Sequence, residues 1–217
     1  MALISTPYQS SDEKMQGTTA GINMFPAGCV YIQYGATAEI ASSTTATSVF
    51  TNTTAKTVNY NYIGGDPTKI SSLILPANSL GIGTVIMGKI VGSIKNNSST
   101  PNLTFTSGLN NGSAYTAIST TGAKAMISTA SYAYVELGWE WVVTAIGASG
   151  IASMFGKSYW KIVSTAGVPL MFDGDPAQTF GSFDTTIANT IDAQITWGTS
   201  HANNSCIPKY GYVQIIG

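Results

Sequence analysis

The chain has 217 residues, of which 44% are hydrophobic but only 9% are charged, and its formal net charge is −1. All nine basic residues are lysines, so the arginine forks that commonly recognise phosphates and guanine bases are missing. The composition therefore argues against nucleic-acid binding, and it predicts a surface rich in serine, threonine, asparagine and glycine that suits packing against other subunits.

Residues 1–27 are expected to form an arm or anchoring segment ahead of a single β-domain that spans residues 28–217. The one helix candidate lies at residues 11–16, where serine precedes two acidic residues. The beginning of the chain lacks the cationic and long apolar regions of a signal peptide, and no stretch is long and apolar enough to predict a membrane span. We therefore expect folding in the cytoplasm.

Alternation of apolar and polar residues predicts β-strands along most of the chain. Trp139 and Trp141 share one face of such a segment, opposite Glu136 and Glu140, and the same alternation places Trp197 on an apolar face. We expect these tryptophans to line the core. The strand candidates are residues 29–34, 46–51, 57–62, 69–75, 84–94, 102–106, 113–119, 124–129, 137–143, 158–164, 169–172, 191–197 and 212–216. Turn residues separate them, and many short strands of this kind predict an antiparallel sandwich or barrel.

Two short motifs could carry catalysis or bind phosphate. Residues 83–89 have the glycine–lysine spacing of a P-loop, but Lys89 is followed by Ile90 where Mg²⁺ binding needs serine or threonine, and the β-branched residues predict a strand. His201 is the only histidine, and it lies shortly before Cys206 with no nucleophile motif to complete a catalytic group. We therefore predict no catalytic residue, no cofactor and no enzymatic activity.

Cysteine pairing and calcium binding both stay open at this stage. Cys29 and Cys206 could pair, although buried free thiols are expected from the usual burial tendency of cysteine. Asp173, Asp175 and the nearby Asp184 could bind Ca²⁺ through carboxylate oxygens. Their spacing does not match an EF-hand loop, and aspartate beside glycine and proline is typical of turns, so no metal site is assigned.

Two features bear on carbohydrates. Glu136 and Glu140 share a strand face, but residues four apart along a strand are separated by about 13 Å, which is more than either glycosidase mechanism uses. Exposed aromatic side chains could instead stack on sugars. The alternating tryptophans are better assigned to the core, whereas the role of Tyr132, Tyr134 and Tyr159 stays open.

Two segments of the chain resemble phage-encoded virion domains. Residues 70–80 (ISSLILPANSL) are similar to the strand and Pro-Ala-Asn entry of those domains, and a long strand at 84–97 and a second strand at 103–106 follow as they do there. Residues 184–199 (DTTIANTIDAQITWGT) are similar to their closing hairpin, after which one more strand follows at 212–216. The resemblance covers residues 70–217, and it implies a jelly-roll-like head of a spike, decoration or minor capsid protein, commonly oligomeric.

We therefore expect an all-β, antiparallel, jelly-roll-like sandwich with an N-terminal arm, acting as a structural component of a virus particle. The expected partners are further copies of the chain and other capsid proteins, with no nucleic acid and no membrane insertion, and the expected location is the virion. The alternative is a carbohydrate- or receptor-binding module of a viral spike or fibre that binds a host-surface glycan. A hydrolase on a β-scaffold is the third possibility, without residues to support it.

Overall fold

The computed structural model of the chain describes residues 29–33, 39–41, 44–50, 73–96, 102–126, 129–163, 167, 169–173 and 183–217. The expected N-terminal arm, the helix at 11–16 and the strand at 57–62 lie outside these residues. The described part contains thirteen β-strands and no α-helix. The strands are β1 (Cys29–Gln33), β2 (Ile40–Ala41), β3 (Thr47–Ser48), β4 (Ile74–Leu75), β5 (Val85–Asn96), β6 (Asn102–Asn110), β7 (Tyr115–Thr120), β8 (Lys124–Ala125), β9 (Thr129–Ala145), β10 (Ser153–Val163), β11 (Pro169–Asp173), β12 (Asn189–Trp197) and β13 (Ser205–Ile216).

Several strands have other bounds than the alternation pattern predicts. β10 begins at Ser153 and β13 at Ser205, both earlier than expected, and the strand expected at 124–129 ends at Ala125 as β8. The alternation of β10 is hidden in the sequence because Gly156 has no side chain, and the indole of Trp141 fills the space a Cβ would take. In β13 a bulge shifts the register midway along the strand, which breaks the period of two.

The strands pair in two antiparallel sheets. Sheet A has the order β1-β13-β5-β9-β10-β11, and β2 also pairs with β13. Sheet B has the order β3-β12-β6-β7, with β4 also on β12 and β8 also on β6. The long pairs β13–β5, β5–β9 and β9–β10 form the body of sheet A, so most of its outer face belongs to four neighbouring strands.

The strand order is that of a jelly roll. β1 and β2 follow one another along the same edge of β13, as β3 and β4 do along β12 and β7 and β8 along β6. Each of these pairs is one interrupted strand, so eight strands remain when the β10–β11 hairpin is set aside. Lettered B to I in chain order, they lie as B-I-D-G in sheet A and C-H-E-F in sheet B, the two-sheet arrangement of jelly rolls. The hairpin extends sheet A beyond strand G.

The core lies between the two sheets and confirms the expected orientation of the tryptophans. Trp139, Trp141 and Trp197 are each 2% exposed or less, as is Trp160 from β10. The ring of Phe50 packs edge-on against Trp139 with centroids 5.8 Å apart. Because the four indoles come from β9, β10 and β12, they connect both sheets, and an aromatic cluster of this size supplies a large share of the buried apolar area.

A buried polar cluster also connects the sheets. The hydroxyls of Ser107 (β6), Ser119 (β7) and Ser158 (β10) lie within 2.5–2.9 Å of one another, and the indole N–H of Trp141 donates to Ser107 at 3.0 Å. Hydroxyl groups buried in an apolar core are costly unless they are hydrogen-bonded. These three satisfy one another, which fixes sheet B against the β9–β10 part of sheet A.

Candidate functional site

The segment with P-loop spacing is a turn followed by a strand. Gly83 adopts a left-handed conformation with φ of 88°, and β5 begins two residues later at Val85. Lys89 therefore lies within a strand, on its outer face, where it forms an ion pair with Glu136. A phosphate site of this class needs a loop that opens a helix, so the structure agrees with the interpretation of these residues as a strand.

His201 and Cys206 do not form a catalytic pair. The exposed His201 lies in a turn, where its Nδ1 accepts a hydrogen bond from the backbone N–H of Asn203 at 3.2 Å. Cys206 is a free, buried cysteine at the start of β13, and burial raises the pKa of its thiol to about 12. A thiol with a raised pKa is a poor nucleophile at neutral pH.

The aspartates considered for calcium are separated in the described part of the chain. Asp173 is the last residue of β11, opposite Tyr159, and Asp175 lies outside the described residues. The carboxylate of Asp184 accepts hydrogen bonds from the backbone N–H and the hydroxyl of Thr186, at 2.8 and 2.6 Å, as a turn-forming aspartate does. Among the described residues, no three histidine, cysteine, aspartate or glutamate side chains lie together as a metal site would require.

Two of the three tyrosines whose role the sequence left open, Tyr134 and Tyr159, meet on the outer face of sheet A around Glu136. Its Oε2 accepts a hydrogen bond from the hydroxyl of Tyr134 at 3.0 Å and pairs with Lys89 Nζ at 2.9 Å. Its Oε1 accepts a hydrogen bond from the hydroxyl of Tyr159 at 3.1 Å. Partial burial by itself would raise the pKa of Glu136, but the hydrogen bonds from Lys89 and the two tyrosines outweigh it and hold the pKa below its usual value. Glu136 is therefore a fixed, ionised acceptor.

The ring of Tyr159 lies across the neighbouring strand at Gly138. The two residues are directly opposite in the β10–β9 pair. A Cβ added to Gly138 would meet the Cζ, hydroxyl and Cε1 atoms of Tyr159 at 2.3–2.5 Å. Because Gly138 has no side chain, the ring of Tyr159 can lie close to the backbone of β9. Tyr134 and Tyr159 both have raised pKa values, first because of burial and then because of Glu136, and the pKa of Tyr134 rises to about 12.

Three more tyrosines extend this surface. Tyr132 is 44% exposed, its hydroxyl lies 3.2 Å from that of Ser205, and Lys95 Nζ lies 5.6 Å from its ring centre. Tyr210 is 55% exposed beside the β13 bulge, and Tyr212 is paired with Lys89 across β13 and β5. We call this surface the tyrosine face, and it consists of Tyr132, Tyr134, Tyr159, Tyr210 and Tyr212.

Three members of the tyrosine face could be singled out from the sequence, whereas the other tyrosines and the neighbouring lysines could not. Tyr210, Tyr212, Lys89, Lys95 and Lys161 come from β5, β10 and β13, and only the cross-strand register brings them to β9. One signal was available, because Tyr132, Tyr134 and Glu136 alternate along β9 and so share one face. Glu140 shares that face as well, but it pairs with Lys157 at 4.0 Å and stays apart from the cluster.

A second surface lies at one end of the sandwich, where β5 and β10 begin and β9 and β13 end. Its connections are residues 76–84, 111–114, 146–152 and 184–188, whose only charged residue is Asp184. Thr185 connects three of these segments, because its carbonyl accepts a hydrogen bond from the backbone N–H of Asn78 and its own N–H donates to the carbonyl of Gly147. Six isoleucines that are 41–70% exposed lie at this end, and we call them the apolar end: Ile74, Ile82, Ile146, Ile151, Ile187 and Ile216.

A cavity of about 370 Å³ beside Asp192 is lined by residues of β3, β6 and β12 and by the core residues Phe50 and Leu73. The carboxylate of Asp192 accepts hydrogen bonds from the Ser48 hydroxyl at 2.6 Å and the Gln194 amide at 2.7 Å. Burial nevertheless raises the pKa of Asp192, because these two hydrogen bonds offset it only in part. The bond from Ser48 joins β3 to β12, whereas the bond from Gln194 lies within β12, so we assign Asp192 a structural role.

The chain matches no protein-family model, no curated protein sequence and no solved structure. The described residues include no helix that could cross a membrane. The features that bear on function are therefore the tyrosine face, the apolar end and the fold that carries them.

Proposed function

We propose that the protein is a structural component of a virus particle and that its apolar end contacts neighbouring subunits. The observation that carries the proposal is the apolar end itself, with six exposed isoleucines around connections that hold one charged residue. Single exposed apolar side chains are common on proteins, whereas several of them at one end of a domain favour a site of association. Association through such a surface depends on apolar contact and requires no catalytic residue.

The fold and the composition support this role. Jelly rolls of eight strands occur in viral capsid domains, and also in lectins and cupins, so the fold by itself leaves the function open. Two further features favour the virion: the resemblance of residues 70–217 to phage virion domains, and a surface with few charges that suits close packing in an assembly. In this proposal the partners are further copies of the chain and other capsid proteins.

The test replaces two isoleucines of the apolar end by aspartate, in the double variant Ile82→Asp and Ile151→Asp. These side chains are 70% and 65% exposed, so we expect the stability of the isolated chain to change by only about 0.5 kcal/mol. A buried, unpaired carboxylate in a subunit contact is costly, so self-association and incorporation into particles should fall by about tenfold or more. Thr199→Asp is the control for an added carboxylate, because it places one negative charge, where the double variant adds two, on an exposed residue in the connection between β12 and β13.

The readouts are light scattering of the purified chain and quantification of the chain in purified virus particles. The proposal predicts association of the unchanged chain and of the Thr199→Asp control, and its loss in the double variant. It is wrong if the chain is absent from particles, or if the double variant associates and enters them as well as the control does.

A further inference from the structure

We propose that the tyrosine face is a binding site for glycans that carry carboxylate groups. The site lies from the middle of sheet A toward the end opposite the apolar end, so the inference goes beyond the proposed subunit contacts and does not rest on them. Four features of the described residues support it: the position of the Tyr159 ring, the fixed positions of the tyrosines, the polar groups between them and the charge of the face.

The ring of Tyr159 is arranged as a stacking platform. The tip of the ring covers Gly138 on the outer face of sheet A, and the residue stays partly exposed there. A sugar ring has a face of C–H groups that packs on an aromatic ring, and a rim of hydroxyls that needs hydrogen bonds. Tyrosine provides for both, because it has an apolar body and a polar tip.

The tyrosines are held in place without a ligand. The hydroxyls of Tyr134 and Tyr159 are bound by one carboxylate, that of Glu136, and Tyr132 is held between Ser205 and Lys95. Side chains that are already ordered lose little conformational entropy when a ligand binds. A shallow surface can therefore bind a flexible oligosaccharide with a smaller entropic penalty than mobile side chains would impose.

Polar groups of both kinds stand between the rings. The ionised carboxylate of Glu136 has about four lone-pair positions for hydrogen-bond donors, and its three bonds within the protein leave room to accept a sugar hydroxyl. The tyrosine hydroxyls and Lys89 Nζ stand within about 3 Å of that carboxylate, so sugar hydroxyls at the same place would meet donors and acceptors together. This mixture suits a polyhydroxylated ligand.

The charge of the face favours an acidic glycan. Among the described side chains there, three lysines (Lys89, Lys95 and Lys161) stand with one carboxylate, that of Glu136. Lys89 forms an ion pair with that carboxylate, whereas no ion pair joins Lys161 to an acidic group within the described residues. The compact charge of a lysine ammonium attracts a carboxylate without requiring a planar partner, so an oligosaccharide with occasional carboxylates complements the surface.

Two other occupants fit the surface less well. A single-stranded nucleic acid carries a phosphate at every nucleotide and needs a continuous cationic groove, whereas this face holds few lysines and an ionised Glu136 among the rings. A second copy of the chain, docked by a two-fold axis, would bring together two copies of the same patch, in which lysines outnumber carboxylates among the described side chains. Two patches of like net charge repel each other.

The experiment probes the purified full chain with an array of defined glycans, half of them carrying uronate or sialate carboxylates, and with oligo(dT). Tyr159→Ala removes the platform, and Phe155→Ala is its control, since Phe155 is an exposed aromatic residue on the same strand. Lys161→Gln removes one positive charge of the face, and Lys157→Gln is its control on that strand. Tyr210→Ala provides a second test of the face if Tyr159→Ala fails to fold.

We expect binding to a subset of the carboxylate-bearing glycans, a loss of about tenfold or more in Tyr159→Ala and Tyr210→Ala, and a smaller loss in Lys161→Gln that added salt reproduces. The two control variants should bind as the unchanged chain does. The inference is overturned if no carboxylate-bearing glycan binds, if neutral glycans bind equally well, if oligo(dT) binds more tightly, or if the tyrosine variants change the oligomeric state while glycan binding stays the same.

Discussion

The carboxylate of Glu136 joins side chains from three neighbouring strands. Tyr134 comes from its own strand β9, Tyr159 from β10 and Lys89 from β5. Charge-assisted hydrogen bonds of this kind are stronger than neutral ones. Because all three donors depend on one acceptor, a change at Glu136 should affect Tyr134, Tyr159 and Lys89 together.

The first prediction concerns the acid–base behaviour of this cluster. Folding raises the pKa of Tyr134 to about 12, so the protonated hydroxyl favours the folded state, and that contribution is lost as the pH rises through the ordinary tyrosine range toward 12. Glu136 has a lowered pKa, so its contribution is present above the ordinary glutamate range and is lost as the pH falls through its folded-state value. In Glu136→Gln, the pKa of Tyr134 should move down toward its ordinary value, because burial alone then remains to raise it.

An NMR titration of the tyrosine ring signals measures this change directly. Glu140→Gln is the control, since Glu140 lies on the same face of β9 and pairs with Lys157 instead. If the Tyr134 signal titrates at the same pH in Glu136→Gln as in the unchanged chain, the hydrogen bond between the two residues is not formed in solution.

The second prediction concerns Trp197 in the core. Its side chain is 1% exposed, so Trp197→Ala should lower the free energy of unfolding by about 3–5 kcal/mol, through lost burial and the cavity left behind. Trp197→Phe should cost less, because a ring still fills part of the space. Trp197→Phe also removes an indole N–H that has no hydrogen-bond partner among the described residues. Denaturant unfolding followed by fluorescence compares the variants, and an unchanged midpoint for Trp197→Ala would contradict the inward position of this residue.

At the level of elements, the two sheets are joined by polar contacts as well as by apolar packing. The hydroxyl of Ser158 on β10 reaches Ser107 on β6 and Ser119 on β7. Purely apolar packing between sheets tolerates sliding, whereas hydrogen bonds require one relative position. We therefore expect the serine cluster to specify how the β10 region sits on sheet B.

The third prediction measures that cluster by a double-mutant cycle with Ser158→Ala and Ser107→Ala. Each single change leaves partners of the removed hydroxyl less well satisfied, which should lower the free energy of unfolding by about 1–3 kcal/mol. The double variant should cost less than the sum of the two, with a coupling of about 0.5–3 kcal/mol. Equilibrium unfolding in urea provides the values. Additive effects would show that the two hydroxyls do not interact.

The length of a strand decides how well the alternation of its residues predicts it. The regular alternation in β5, β9 and β12 has one buried face throughout, so these strands and their inward residues were predictable. β2, β3, β4 and β8 are only two residues long each. β3, β4 and β8 lie within segments that were predicted as longer strands, at 46–51, 69–75 and 124–129, whereas β2 is too short for a period of two to be recognised. They exist because a long neighbour, β13, β12 or β6, offers hydrogen-bonding groups along its edge.

At the level of the whole molecule, most of the exposed large apolar and aromatic side chains among the described residues lie in two regions, and Phe155 lies outside both as they are defined here. The isoleucines lie at the end where β5 begins, whereas Tyr132, Tyr134 and Tyr210 lie on the other half of sheet A. A molecule with this division can bind a neighbour at one end and a ligand on the opposite half without competition between them. The two proposals can therefore fail independently, since Ile82→Asp and Tyr159→Ala change separate surfaces.

The sequence by itself determined the fold class, because alternation along single strands is a local property that decides which side chains turn inward. It also determined the low charge and the lack of arginine, which limit the partners of the chain. Only the tertiary structure decided the jelly-roll order within the described residues, since pairing of distant strands depends on the register of the whole sheet. For the same reason the tyrosine face and the apolar end were hidden: Tyr159 meets Gly138, and Ile82 lies at the same end as Ile187, only after strands far apart in the chain have paired.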